Sequence, residues 1–246
     1  MEYSNPKDVM FDKTRIEKLK QVSSDPLVVK NFFNSQEINY IIEQKEKSEQ
    51  VGKLGKVTNW KYDKNIEFKD WLEQKLQKSL KHKFVMHGGN YFQTRIPFFV
   101  HTDTGKEEID NLLPYKNVVV PLTNSTPEFP CYTVTFKQRW FGQASMFWRG
   151  PMFISAKTDY NHKIEDYTLL ENYTDKDFDV EHYQKFLTHL PYNNLHGLSL
   201  ESAHEWNVGD IIIFDCTQLH SSNDFFSLGN KDPKFALSYF CRLKDE

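Results

Sequence analysis

Cysteine is scarce in this chain. Its 246 residues hold Cys131, Cys216 and Cys241 and no other. The number is odd and no Cys-x-x-Cys spacing occurs, which argues against a disulfide framework and a thiolate zinc site. Long apolar runs are missing too. No stretch of about 18 apolar residues occurs, and the opening MEYSNPKDVMFDK lacks the apolar core of a signal peptide. An excess of positive charge is also absent. The 31 Lys and Arg against 34 Asp and Glu leave a formal net charge of −3, with no basic stripe for nucleic acid and no block of like charge. No internal repeat or low-complexity linker divides the chain. The expectation is one domain, 1–246, in a reducing, cytoplasmic setting, with neither nucleic acid nor membrane as partner.

Aromatic residues are plentiful. They make up 15% of the chain, with 20 Phe and 12 Tyr, a bias that favours strands over a helical bundle. The pattern along the chain changes accordingly. A short helix is expected over Thr14–Val22 and a strand from Leu27 to Phe33. Asn34 with Glu37 is a capping-box pair opening a helix through about Lys47, whose apolar face is Ile38, Ile41 and Ile42. A second helix is expected over 67–81, with Phe68, Trp71, Leu72, Leu76 and Leu80 at helical spacing.

From Phe84 the period becomes strand-like. Strands are expected over 90–96, 98–101, 117–122, 132–136, 143–148, 210–215 and 234–243. Residues 151–205 break this pattern and contain a helix near 179–190 that Pro191 ends. The order, helices first and short strands later, predicts a β-rich α+β fold: a sandwich or jelly roll. Residues 1–83 would be mainly helical support. Residues 84–150 and 206–246 would form the core, and 151–205 an insertion that serves as a lid.

The candidate chemistry begins at His101-Thr102-Asp103. In an extended segment residues i and i+2 point to one side, so an imidazole and a carboxylate can reach one metal ion. A His-x-Asp pair is common by chance, and context gives this one weight. Thr104-Gly105 is a turn signal directly after it. Far downstream, Gly209-Asp210 feeds the apolar run Ile211–Phe214, and a polar segment ending in His220 follows. Two His and one carboxylate on a triangular face suit Fe(II) and leave positions for a chelating co-substrate and O2. Catalytic zinc uses the same ligand types.

A cation for the far carboxylate of a keto diacid separates the two metals. The last strand supplies Lys234, Ala236, Ser238, Phe240 and Arg242 on one face, so Lys234 and Arg242 are the candidates. Asn117 and Thr133 are candidates to face the cofactor. Arg95, Arg139, Trp140, Trp148 and Arg149 are candidates to position substrate.

Taken together, Val28–Glu37, Tyr91, His101-Thr-Asp103-Thr, the Gly-Asp-strand-His run ending at His220, and a basic residue on the last strand resemble the 2-oxoglutarate/Fe(II)-dependent dioxygenases, in their prolyl-4-hydroxylase-like branch. The resemblance implies a double-stranded β-helix. It also implies hydroxylation of an unactivated C–H, with 2-oxoglutarate and O2 consumed and succinate and CO2 released. By the same resemblance His101, Asp103 and His220 hold iron, Lys234 meets the distal carboxylate of 2-oxoglutarate, and Tyr91 hydrogen-bonds that carboxylate. The basic residue falls later after the distal histidine than is usual, which keeps Arg242 in contention. Retention of Asp103 speaks against halogenation. The substrate, a small molecule or a peptidyl residue, is not legible, nor is the oligomeric state. The alternative readings are a cupin-like jelly-roll binding or isomerase module and, less well supported, a zinc hydrolase.

Overall fold

The computed structural model describes residues 6–54, 57–62, 65–105, 112–150, 162–226 and 233–244. Its centre is the last predicted strand, β12 (Lys234–Leu243). β12 pairs antiparallel with β4 (Phe84–Thr94) on one side and β5 (Leu113–Pro121) on the other. β10 (Ile211–Asp215) joins β5, and β1 (Leu27–Val29) joins β10. β3 (Val57–Lys61) and β2 (Glu49–Leu54) extend the sheet beyond β4. All of β5 is buried because both faces of this central strand are covered, and its two polar residues, Lys116 and Asn117, are hydrogen-bonded there.

The smaller sheet has the order β11 (Gln218–Ser222), β6 (Tyr132–Arg139), β9 (Leu200–Glu205). Backbone bridges from His101 to His220 and to Met146 continue it to β7 (Ser145–Phe147), which pairs parallel with β8 (His162–Ile164). The large sheet therefore contains the run β4-β12-β5-β10. The small sheet contains the His101 segment followed by β11-β6-β9. That interleaving of successive strands between two sheets is the jelly-roll arrangement.

Alternation assigns the faces. Leu237, Tyr239 and Cys241 point outward, where α2 (Ser35–Glu46) and α3 (Ile66–Gln77) cover them with Ile38, Ile41, Phe68, Leu72 and Leu76. Each fully buried side chain of this size contributes roughly 1.5–3 kcal/mol. The capping box closes as expected, with Glu37 N donating to Asn34 Oδ1 at 3.0 Å and Asn34 N to Glu37 Oε2 at 2.9 Å. Val119, Ile212, Phe214, Ala236 and Trp206 line the inner side between the sheets. A third layer backs the small sheet from outside. There Tyr167, Phe178, Phe186, Leu187 and Leu195 pack on Val134, Phe136 and Leu219.

Three expectations change. In residues 1–83 the expected β1 is joined by two further strands, β2 and β3. The β2–β3 hairpin carries little apolar alternation and forms because the open edge of β4 supplies its backbone partners. The core resumes at Leu200 instead of 206, because β9 is a strand of the small sheet. Residues 162–199 form the backing layer. Residues 151–161 lie outside the described residues. Finally, 98–101 is not a regular strand: Val100 is a bend, and bridges form only at His101. No helix among the described residues is long and apolar enough to cross a membrane.

α1 (Lys13–Val22) exits into a buried ionic cluster. Asp215 accepts from Lys116, from Arg139 Nε at 3.1 Å and from Ser24 N at 3.2 Å. Asp215→Ala strands a buried ammonium. It is expected to cost about 3–5 kcal/mol of unfolding free energy, measurable by urea denaturation.

Candidate metal centre

His101 reaches the inner chamber because its backbone is clamped to β11: His101 N donates to His220 O and His220 N to His101 O, both at 3.0 Å. Asp103 N donates to Cys216 O at 3.1 Å, which brings the carboxylate back to the same point. Gly105 follows at φ +81°. That left-handed conformation is strained for any residue with a Cβ, so the turn favours glycine, and the Arg242 guanidinium lies close beside it.

The side chains of His101, Asp103 and His220 place one ligand atom each within 4.8 Å of the others. Their tautomers follow from the outer contacts. His101 Nδ1 lies 2.8 Å from Phe99 O and His220 Nδ1 lies 3.1 Å from Gln218 O. A carbonyl only accepts, so each Nδ1 carries the proton and each neutral Nε2 presents a lone pair. Those lone pairs face Asp103, His101 Nε2 at 3.7 Å from Oδ1 and His220 Nε2 at 3.1 Å from Oδ2. Burial, then the neighbouring His220, draw the His101 imidazolium down to about 4, so the ring is neutral at physiological pH. Burial alone would raise the Asp103 carboxyl, but the polar groups around it, with Asn117 donating to Oδ2, hold it below the usual carboxylate value. Three electron-rich atoms converging on one point call for a cation. The donor set of two imidazoles and one carboxylate fits a divalent transition metal.

Outer contacts hold the ligands. Asn117 Nδ2 donates to Asp103 Oδ2, and Asn117 Oδ1 accepts from Ser238 Oγ at 3.0 Å. This relay ties the ligand to the inner face of β12. Phe98 and Phe214 wall the imidazoles at ring distances of 4.5 and 4.6 Å. Asn117→Ala is expected to weaken Fe(II) binding about 10–100-fold, read by competition with a coloured chelator.

The other predicted residues separate. Lys234 lies on the inner face, 2% exposed, and donates to Tyr132 O at 2.7 Å. No carboxylate among the described residues pairs with it. Arg242 shares that face but sits at the opposite end of β12, beneath the Gly105 turn. Tyr91 is not brought to the site. It pairs with Leu237 on the outer face, and its hydroxyl donates to Ile41 O at 2.6 Å. One residue of strand phase decides this.

Arg139 is engaged by Asp215. Trp140 is fully buried with Nε1 donating to Gln143 O, and Arg149 lies over Tyr167. None of these three meets the triad. Trp148 packs on Phe99, and Arg95 is exposed. Thr133 faces inward and accepts from Trp206 Nε1 at 2.9 Å.

Two inner-face features had no signal in the sequence beyond alternation. One is Trp206. The other is the Thr135–Ser202–His204 cluster, in which Ser202 Oγ lies 2.7 Å from His204 Nε2. Thr135 is directly opposite His220 in the β6–β11 register, so the cluster borders the centre.

No protein-family model matches the sequence, and no curated protein does. Solved structures do match. HygX from Streptomyces hygroscopicus, with nickel, 2-oxoglutarate and hygromycin B bound, shares 9% identity over 95% of this chain and 88% of that one, with a TM-score of 0.50. SnoK, a non-heme alpha ketoglutarate dependent carbocyclase from nogalamycin biosynthesis, shares 12% over 100% and 88%, with a TM-score of 0.52. The fold is that of the 2-oxoglutarate/Fe(II) oxygenases. At these identities the likeness is one of architecture.

Proposed function

We propose that this protein is an Fe(II)/2-oxoglutarate-dependent oxygenase that hydroxylates an unactivated C–H of its substrate, with release of succinate and CO2. The observation that carries the reading is a pairing inside one chamber: three converging metal-ligand atoms at His101, Asp103 and His220, and a buried ammonium at Lys234 with no carboxylate among the described residues. A metal site alone serves many chemistries. A second, buried cation on the same inner face adds the element that recognises a dicarboxylate.

Bound iron with 2-oxoglutarate and O2 would supply the oxidising chemistry, and the protein supplies placement and exclusion of water. His101, Asp103 and His220 would hold the metal on one face. Lys234 would take the distal carboxylate. Ala236, between Lys234 and Ser238 on the inner face, is small enough to leave space between the two. The apolar walls Phe98 and Phe214 limit water at the reacting end. In the known structures this fold serves a carbocyclase, so the fold does not select the outcome. The retained carboxylate Asp103 speaks against halogenation, and the prolyl-4-hydroxylase resemblance favours hydroxylation.

The test is anaerobic titration of the Fe(II)-loaded protein with 2-oxoglutarate. Weak metal-to-ligand charge-transfer absorption at one equivalent is expected, followed by succinate release when O2 and a substrate from a panel are admitted. A fully iron-loaded protein that binds no 2-oxoglutarate sinks the proposal and favours the cupin-like alternative.

A further inference from the structure

We infer that Trp206 is a positioning residue for the co-substrate: its indole face holds the Lys234 ammonium in the chamber, where the distal carboxylate of 2-oxoglutarate meets it. The inference rests on the reading of Lys234 above and adds to it a residue that does not itself touch the metal ligands.

Lys234 Nζ lies 3.7 Å from the centroid of the Trp206 ring and 5.5 Å from that of Phe225. Its hydrogen bond is to Tyr132 O. A lysine stem is flexible, so something must keep the head group from turning away. The indole is well placed for that because it is itself immobile. Its Nε1 donates to Thr133 Oγ1 at 2.9 Å, its backbone N to Cys131 O at 2.9 Å, and Ser125 N to its carbonyl at 2.7 Å. Trp206 also closes the inner row of β9 that begins with Ser202 and His204, so the ring is part of the chamber wall.

An aromatic face suits this task better than a carboxylate. The ring quadrupole attracts the ammonium without neutralising it. An aspartate in the same place would satisfy the lysine and compete with the incoming co-substrate. The ring leaves the charge available, and a carboxylate that enters displaces a weaker contact with a stronger one.

The ring also favours the charged form of Lys234. Burial draws that ammonium down to about 7. The titratable and charged groups near it do little to restore it. Burial pushes the Cys131 thiol up to about 11, so it is neutral, and draws His189 down to about 4, so it is neutral as well. Asp224 is engaged by Thr188 Oγ1 at 2.6 Å. Loss of the ring therefore lowers the pH at which the ammonium is lost.

The experiment is the anaerobic 2-oxoglutarate titration of the full chain loaded with Fe(II), repeated from pH 6 to pH 9. Trp206→Leu is expected to weaken 2-oxoglutarate about 10-fold at pH 7. It should also move the fall-off in affinity about one pH unit lower, with Fe(II) affinity unchanged. Trp206→Phe keeps a π face and should restore most of the affinity. Thr133→Val frees the anchor of the ring and should shift both quantities in the same direction by less; it carries the test if Trp206→Leu does not fold.

Wild-type affinity and pH profile in Trp206→Leu, or in Thr133→Val where it stands in, overturn the inference if Lys234→Met is impaired in the same assay. If Lys234→Met binds 2-oxoglutarate like the wild type, the reading of Lys234 fails first, and the role of Trp206 falls with it.

Discussion

His220→Ala is expected to abolish stoichiometric Fe(II) binding and succinate release together while leaving the protein folded. The strand pairing around His220 is carried by backbone atoms, through the reciprocal 3.0 Å bonds with His101, and alanine keeps both. What disappears is one of three lone pairs and the ring against Phe214. Loss of a partner behind a metal ligand typically costs about 10–100-fold in affinity, so loss of the ligand itself should exceed about 100-fold. Inductively coupled plasma analysis after anaerobic loading reads the metal directly, and circular dichroism confirms the fold. Full iron occupancy in this variant removes His220 from the centre. Asp103→Ala should resemble it, with the added consequence that Asn117 loses its partner.

Lys234→Met is expected to separate binding from stability. The thioether side chain fills a similar volume beside Trp206 and Phe225 but carries no charge. Fe(II) binding should be unchanged, because the triad is held by Asn117, Ser238 and backbone carbonyls rather than by Lys234. Binding of 2-oxoglutarate should fall by about 100-fold or more, the scale of losing a charge-assisted partner for a buried carboxylate, roughly 3 kcal/mol. Arg242→Met should not show this loss of 2-oxoglutarate affinity, since Arg242 lies beside Gly105 at the far end of the strand from Lys234.

Stability should move the other way. Replacing a buried charge by an apolar side chain of similar size is commonly neutral or stabilising by about 1–4 kcal/mol. The pH dependence follows from the lowered value of Lys234. Between about 7 and the ordinary lysine value of 10.5 the unfolded chain binds the proton more tightly than the folded one, so wild-type stability rises with pH across that window. Below about 7 the penalty is fully present. The gain in melting temperature for Lys234→Met should therefore be larger at pH 6 than at pH 9, and equal gains at both would show that the ammonium is not the source. A variant that melts higher and no longer binds its co-substrate identifies Lys234 as a residue kept for function at the expense of stability.

The helices were legible because their signals are local. Asn34 with Glu37, and Phe68, Leu72 and Leu76 at helical spacing, each specify a structure within one segment. β12 was legible for the same reason, since its alternation places Lys234 and Ser238 on one face whatever lies beside it. The β2–β3 hairpin and β9 were not. Their strand character comes from an open edge on β4 and on β6, and neither edge is visible in the segment that completes it.

Side-chain identity and order along the chain thus determined the candidate metal ligands: His101 and Asp103 stand two residues apart in one segment, and His220 follows an apolar strand. They also determined which cations were eligible. Tertiary structure set those two cations at opposite ends of β12 and removed Tyr91 from the site. The pairing of Tyr91 with Leu237 puts its ring among the helices, because adjacent residues in a strand face opposite sides and one step of phase exchanges core for chamber. It also brought Trp206 beneath Lys234. That contact joins the end of β9 to the start of β12, and only the closing of the two sheets sets the distance between them.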